Sequence, residues 1–173
     1  MEYIDIYDED NNLLEKKVER EYAHDNNLWH REILVLIINE KKEILLQQRS
    51  YKKRNLKGKW GLLAGHVTSG QNEEETVIRE IYEEVGLQIK KQDLKFIKLY
   101  KKGEYHNKKF QYIYLIKTNN PISNYKINYS EIRKLKYESI HNIKKRMENN
   151  DTSLLFTQNK NFHYKLFNEI QKI

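Results

Sequence analysis

The chain has no cysteine. That excludes a disulfide framework, a thiolate zinc site and a cysteine nucleophile, and nothing marks an oxidising compartment. It also lacks a run able to cross a bilayer, since the longest apolar stretch, Ile33 to Ile38, falls far short of the ~20 residues a spanning helix needs. The opening Met-Glu-Tyr-Ile-Asp-Ile has neither the basic segment nor the apolar run of a signal peptide, so a cytoplasmic location without a membrane partner is expected. Proline occurs once, as Pro121, where it opens a polar loop. No repeat and no low-complexity linker divides the 173 residues, and a single domain over 1–173 is expected.

Charge is plentiful. Lys+Arg number 32 against 25 Asp+Glu, a net +7 that favours anionic ligands such as phosphates. The basic residues are spread along the chain, in Lys52-Lys53-Arg54, Lys101-Lys102, Lys108-Lys109 and Lys144-Lys145-Arg146, as a general compositional preference would spread them. A nucleic-acid partner is therefore disfavoured. The 38% hydrophobic content is enough for a packed core.

Periodicity predicts a mixed α/β fold. Tyr3 to Tyr7 alternates bulky and acidic residues, and Asp8 to Asn12 supplies turn chemistry before Leu13-Leu14, so residues 1–28 read as an N-terminal hairpin extension. Arg31 to Asn39 and Ile44 to Arg49 read as a central hairpin buried on both faces. Ser50 to Lys59 is a basic loop, and Trp60 to Val67 reads as a strand bent at Gly61 and Gly65. A helix is expected over Asn72 to Val85, stopped by Gly86. Further strands are predicted at Leu94 to Tyr100, Phe110 to Lys117 and Glu131 to Tyr137, and helices near Ser139 to Met147 and Asn161 to Ile170. Strands on either side of a central helix, with more helix at the end, predict an α/β/α sandwich around a mixed central sheet.

At about 100° per residue, Val77, Ile78, Ile81 and Val85 form the buried stripe of the central helix, and Glu80, Glu83 and Glu84 cluster beside it. Glutamates are good helix formers and a Glu-Glu pair alone would read as a solvated face. Three at the margin of a buried stripe repel one another unless a cation neutralises them. Mg²⁺ or Mn²⁺ suits carboxylate oxygens and keeps waters that can meet phosphate. The preceding turn, Gly65-His66-Val67-Thr68-Ser69-Gly70-Gln71, can bring backbone close to such an ion and its phosphates. Arg79 lies one turn before Glu83 and can hold it in one rotamer.

The segment 65–87, GHVTSGQNEEETVIREIYEEVGL, resembles the Nudix box: Gly, five residues, Glu, seven residues, then Arg-Glu-apolar-x-Glu-Glu-x-Gly-apolar. Gly65, Arg79, Glu80, Ile81, Glu83, Glu84, Gly86 and Leu87 match, and Gln71 stands where the pattern has Glu. The resemblance implies a Nudix sandwich and Mg²⁺-dependent hydrolysis of a nucleoside diphosphate derivative or related organic diphosphate. It implies that Glu80, Glu83 and Glu84 ligate the cation, joined by the Gly65 carbonyl, that Arg79 orients a glutamate, and that Glu80 or Glu83 is the base. Gln71 keeps the hydrogen bonds of glutamate but neither its charge nor its proton, so reduced activity is expected.

Outside the box, Ile4 to Glu9, Trp29-His30-Arg31, Leu45 to Ser50 and Lys59-Trp60 resemble Nudix proteins akin to isopentenyl-diphosphate isomerase. That isomerase uses a cysteine just before a Gly-His pair; here Ala64 precedes Gly65-His66, and alanine exchanges no proton. The hydrolase branch is favoured, with a non-catalytic nucleotide- or RNA-binding module as the rival. His24, His30 and His66 resemble histidine ligands of the isomerase, but the sequence gives no convergence, and each reads as a capping, packing or surface group. The candidate substrate contacts are Arg49, which ends a strand ahead of the turn, His66 within the turn, and Trp60, read first as a core anchor and second as a stacking platform. Glu104 and Glu131 are candidates to complete the metal site, and the Lys101 to Lys109 hairpin and Asn119 to Ser130 loop to select the substrate. The resemblance permits a monomer or a homodimer.

Overall fold

Strand β3 (His30–Ile38) is buried at every position but Arg31, as expected of a strand covered on both faces. A computed structural model describes residues 2–103 and 108–173. They fall into two compact units, one of residues 1–35, 64–82 and 88–116, the other of residues 36–63, 83–87 and 117–173.

In the first unit, β1 (Tyr3–Tyr7) and β2 (Leu13–Glu19) pair antiparallel as the predicted ribbon. Single bridges tie it to its surroundings, Ile4 to Thr68 and Tyr7 to Trp29. The first part of β3 lies beside β8 (Lys109–Lys117), which pairs antiparallel with β7 (Lys95–Lys102). The stretch expected as one bent strand is two short ones, β5 (Trp60–Gly61) and β6 (Leu63–His66), and β6 pairs with β3. One element was not legible: helix α1 (Arg20–Asp25) follows the ribbon. Six residues with only Ala23 buried carry no period, and so short a helix has no stability of its own. It is held from outside, by the Arg20 amide on the Glu2 carbonyl at 3.0 Å and an Arg20–Glu2 ion pair at 2.7 Å.

In the second unit, β4 (Glu43–Arg49) meets the end of β3 at Ile38–Ile44 and pairs with β5 and, over its whole length, with β9 (Ile132–Ser139). Helices α3 (Ile140–Glu148) and α4 (Lys160–Gln171) bury Ile143, Met147, Leu166 and Phe167. No helix among the described residues is long and apolar enough to cross a membrane.

The central helix α2 (Glu73–Val85) carries the box glutamates. Asn72 and Glu75 cap it reciprocally, the Glu75 amide donating to Asn72 Oδ1 at 2.9 Å and the Asn72 amide to Glu75 Oε2 at 3.0 Å. Its buried stripe is Thr76, Val77, Ile81 and Val85, with Ile78 only half-buried. Thr76 is accepted in the interior because its hydroxyl donates to the Asn72 carbonyl at 2.9 Å. At the far end Gly86 turns the chain with φ +68°, and the carbonyls of Glu84 and Val85 accept from the Asn128 and Lys126 amides at 2.9 Å. A Cβ at Gly86 would lie 2.6 Å from Lys126 Cβ. Gly86→Ala therefore adds left-handed strain to a backbone clash and is expected to cost about 1–3 kcal/mol, read as a lower urea midpoint at unchanged m-value.

Candidate active site and a histidine cluster

The glycine that opens the box faces the first of its glutamates. A Cβ on Gly65 would lie 2.7 Å from Glu80 Cδ and 3.0 Å from Glu80 Oε1, so this carboxylate occupies space that only glycine leaves free. Arg79 meets the same carboxylate, Nη1 to Oε1 at 2.9 Å. The guanidinium also donates from Nε to Gln71 Oε1 and from Nη2 to Thr68 Oγ1, each at 3.1 Å. Arg79 thus holds Glu80, its immediate neighbour on the helix, a partner the helix spacing did not suggest. One turn on, Glu83 is exposed and Glu84 half-exposed on the same continuous helix.

Arg49 and Trp60 belong to the second unit, one step apart on the paired strands β4 and β5. Arg49 Nε donates to the Asn55 carbonyl at 3.3 Å, and half-buried Trp60 lies under the Lys136 ammonium at 4.5 Å. Glu131 is ion-paired with Lys53. Glu104 lies outside the described residues.

The three histidines are not separate capping, packing or surface groups. His24 of α1, His30 and Glu32 of β3, and His66 at the end of β6 converge, with one ligand atom from each lying within 4.8 Å of the others. His24 Nε2 and His66 Nε2 are 2.9 Å apart, and Glu32 Oε1 lies 3.4 Å from His66 Nε2 and 3.5 Å from His30 Nε2. His30 and Glu32 share a strand face because side chains two apart point the same way. His30 Nδ1 donates to the Leu28 carbonyl at 3.0 Å. Its buried Nε2 has no hydrogen-bond partner among the described residues.

Burial pushes the His66 imidazole down to about 3 and that of His24 below its ordinary value, so neutral rings face one another. Burial pushes the Glu32 carboxyl up, but the Lys109 ammonium together with His30 and His66 outweighs it, and the group is held well below the usual carboxylate range. Lys109 Nζ is 2.5 Å from Glu32 Oε2, and Gln111 Nε2 is 3.3 Å from the same oxygen. Glu32 and Gln111 were not among the sequence candidates, and Lys109 and Thr68 entered only as parts of a candidate hairpin and turn. The one local sign of the cluster was His30-x-Glu32 on a strand, a polar pair on one face of an apolar run.

The family model for the NUDIX domain matches residues 28–158, and the chain belongs to this family. An isopentenyl-diphosphate Delta-isomerase from Pectobacterium atrosepticum is 35% identical over 71 residues, 40% of this chain, and the matched segment spans only 40% of that relative's length. Among solved structures, DR0079 from Deinococcus radiodurans superposes with TM-score 0.72 at 18% identity, over 85% of this chain and 89% of the other. A Caenorhabditis elegans Ap4A hydrolase gives TM-score 0.52 at 24% identity, over 67% of this chain and 84% of the other. The mixed α/β fold with its mixed sheet is that of these structures.

The buried neutral histidines make stability depend on pH. His66 takes a proton near 6.5 when unfolded but only near 3 when folded, so its contribution is complete above about 6.5 and is lost as pH falls toward 3. Urea unfolding with chelator present is expected to show stability declining from about pH 7 to about pH 5, and His66→Gln to flatten that decline.

Proposed function

We propose that the protein hydrolyses a diphosphate bond in a nucleoside diphosphate derivative or a related organic diphosphate, with Mg²⁺ or Mn²⁺ held by Glu80, Glu83, Glu84 and the Gly65 carbonyl. The chain is a Nudix diphosphate hydrolase. The observation that supports the reading is the close approach of Gly65 to Glu80, which brings the opening glycine of the box against the first of its helix glutamates. An all-oxygen donor set of this kind fits a hard divalent cation. When bound, such a cation supplies charge neutralisation of the diphosphate and acidifies the attacking water.

The chain's own groups do the rest. Arg79 is a positioning residue: anchored on Thr68 and Gln71, it fixes the rotamer of Glu80. Glu80 or Glu83 takes the proton of the water that attacks phosphorus, and the P–O bond to the phosphate-bearing leaving group breaks. Arg49 meets the phosphates, with His66 and Trp60 as further substrate contacts.

A second reading concerns the substrate. The 35% identical relative is named for isopentenyl diphosphate, which supports adding prenyl diphosphates to the candidates. Ala64, exposed where the isomerase pattern has its cysteine, supports hydrolysis over isomerisation.

Incubation with Mg²⁺ and a panel of nucleoside di- and triphosphates, sugar nucleotides, dinucleoside polyphosphates and prenyl diphosphates is expected to release phosphate from at least one class. Glu83→Gln and Glu84→Gln should each lower kcat by about 100-fold, and Gln71→Glu should raise it severalfold. No release from any compound, or release untouched by both glutamate substitutions, would overturn the reading in favour of a binding module. Such a module should show salt-dependent RNA affinity without Mg²⁺.

A further inference from the structure

We propose that Lys109 is an internal competitor for the histidine cluster: its ammonium and a transition-metal ion seek the same Glu32 carboxylate, so metal loading of His24, His30, Glu32 and His66 is opposed by this lysine. The inference goes beyond the hydrolase reading and stands whether or not that reading holds, because it concerns groups other than the box glutamates.

The cluster is chemically ready for a cation. Three imidazole nitrogens and one carboxylate oxygen are a donor set suited to Zn²⁺ or Co²⁺ and poorly suited to Mg²⁺. Buried His30 Nε2 lies 3.5 Å from Glu32 Oε1 and has no hydrogen-bond partner among the described residues, so a cation placed among these ligand atoms would give it one.

Yet the carboxylate already has a cation. Glu32 turns Oε1 toward the histidines and Oε2 toward Lys109, at 2.5 Å, with Gln111 completing the second oxygen. Side chains of Glu32 and Lys109 are 10% and 14% exposed, so this pair is little screened by solvent. The ammonium thus satisfies Glu32 without a metal, and a divalent ion entering on Oε1 meets a positive charge on the other oxygen of the same group. Lys109 must then weaken the site or swing outward as the ion enters.

Titration of the full chain with Co²⁺ separates this cluster from the carboxylate helix, because a four-ligand nitrogen-rich site intensifies the visible absorption and an all-oxygen octahedral one does not. Lys109→Met is expected to bind Co²⁺ about 10- to 100-fold more tightly than the unmodified chain, with intense absorption that His66→Ala in the same background abolishes. In the unmodified chain, saturating Zn²⁺ should raise the acetylation of Lys109 by acetic anhydride, read by mass spectrometry, as the ammonium leaves Glu32. Equal Co²⁺ affinity with and without Lys109 would overturn the proposal. So would intense absorption in neither protein, or acetylation of Lys109 unmoved by a Zn²⁺ excess that does bind. Should Lys109→Met fail to fold, the acetylation arm decides alone.

Discussion

The carboxylate of Glu80 lies against the backbone of Gly65 because that residue has no β-carbon, and much of the local architecture follows from this approach. For the contact to form, α2 must run close beside the end of β6, which also seats Val77 and Ile81 in the interior. The intervening turn must be short and firmly pinned. Asp5 does part of this from the ribbon, accepting from Ser69 Oγ at 2.6 Å and from the Gly70 amide at 3.1 Å. Arg79 does the rest by reaching back from the helix to Thr68 and Gln71. The Arg79 guanidinium, 2.9 Å from this carboxylate, compensates its charge.

The proposed carboxylate site and the histidine cluster meet the same electrostatic problem in different ways. On α2, Glu80 and Glu84 are half-buried and Glu83 is exposed, the accessibility that the proposed hydrated cation would need. In the histidine cluster the single carboxylate is buried and its neutralising charge is built into β8. The first arrangement suits chemistry that needs a labile ion meeting phosphate. The second suits a group whose main demand is to be satisfied in the interior, since an unpaired buried carboxylate is among the costlier features a fold can hold. Neutral imidazoles pay no such penalty, which is why burial depresses their proton affinity without expelling them.

What was legible in the sequence was whatever depends on near neighbours. The box reads from spacing because helix periodicity alone places Glu80, Glu83 and Glu84 together, and the stop at Gly86 lies beside the helix it bounds. The β3–β4 hairpin and the terminal helices read for the same reason. The histidine cluster did not, because it joins positions 24, 30, 32, 66 and 109 from four separate elements, and no local pattern encodes their meeting. Helix α1, which delivers His24, is too short to announce itself, and is held by contacts from Glu2 and the ribbon. The role of Arg79 was half-legible: its spacing suggested a glutamate one turn on, and the structure adds its own neighbour Glu80 and the preceding turn as partners.

Gln71 shows how a departure from a motif can keep geometry while changing electrostatics. Its Oε1 accepts from Arg79 Nε as a carboxylate oxygen would, so the guanidinium stays tethered and Glu80 stays oriented. What the amide withholds is charge. A carboxylate at 71 would draw on Arg79 as a second anion and would add a fourth negative group near the three on α2, strengthening the pull on a divalent ion. With an amide there, Arg79 is anchored by shape and its charge is not divided with residue 71. On the proposed reading the acidic face recruits its cation with three carboxylates, and the difference is one of cation affinity and not of site assembly.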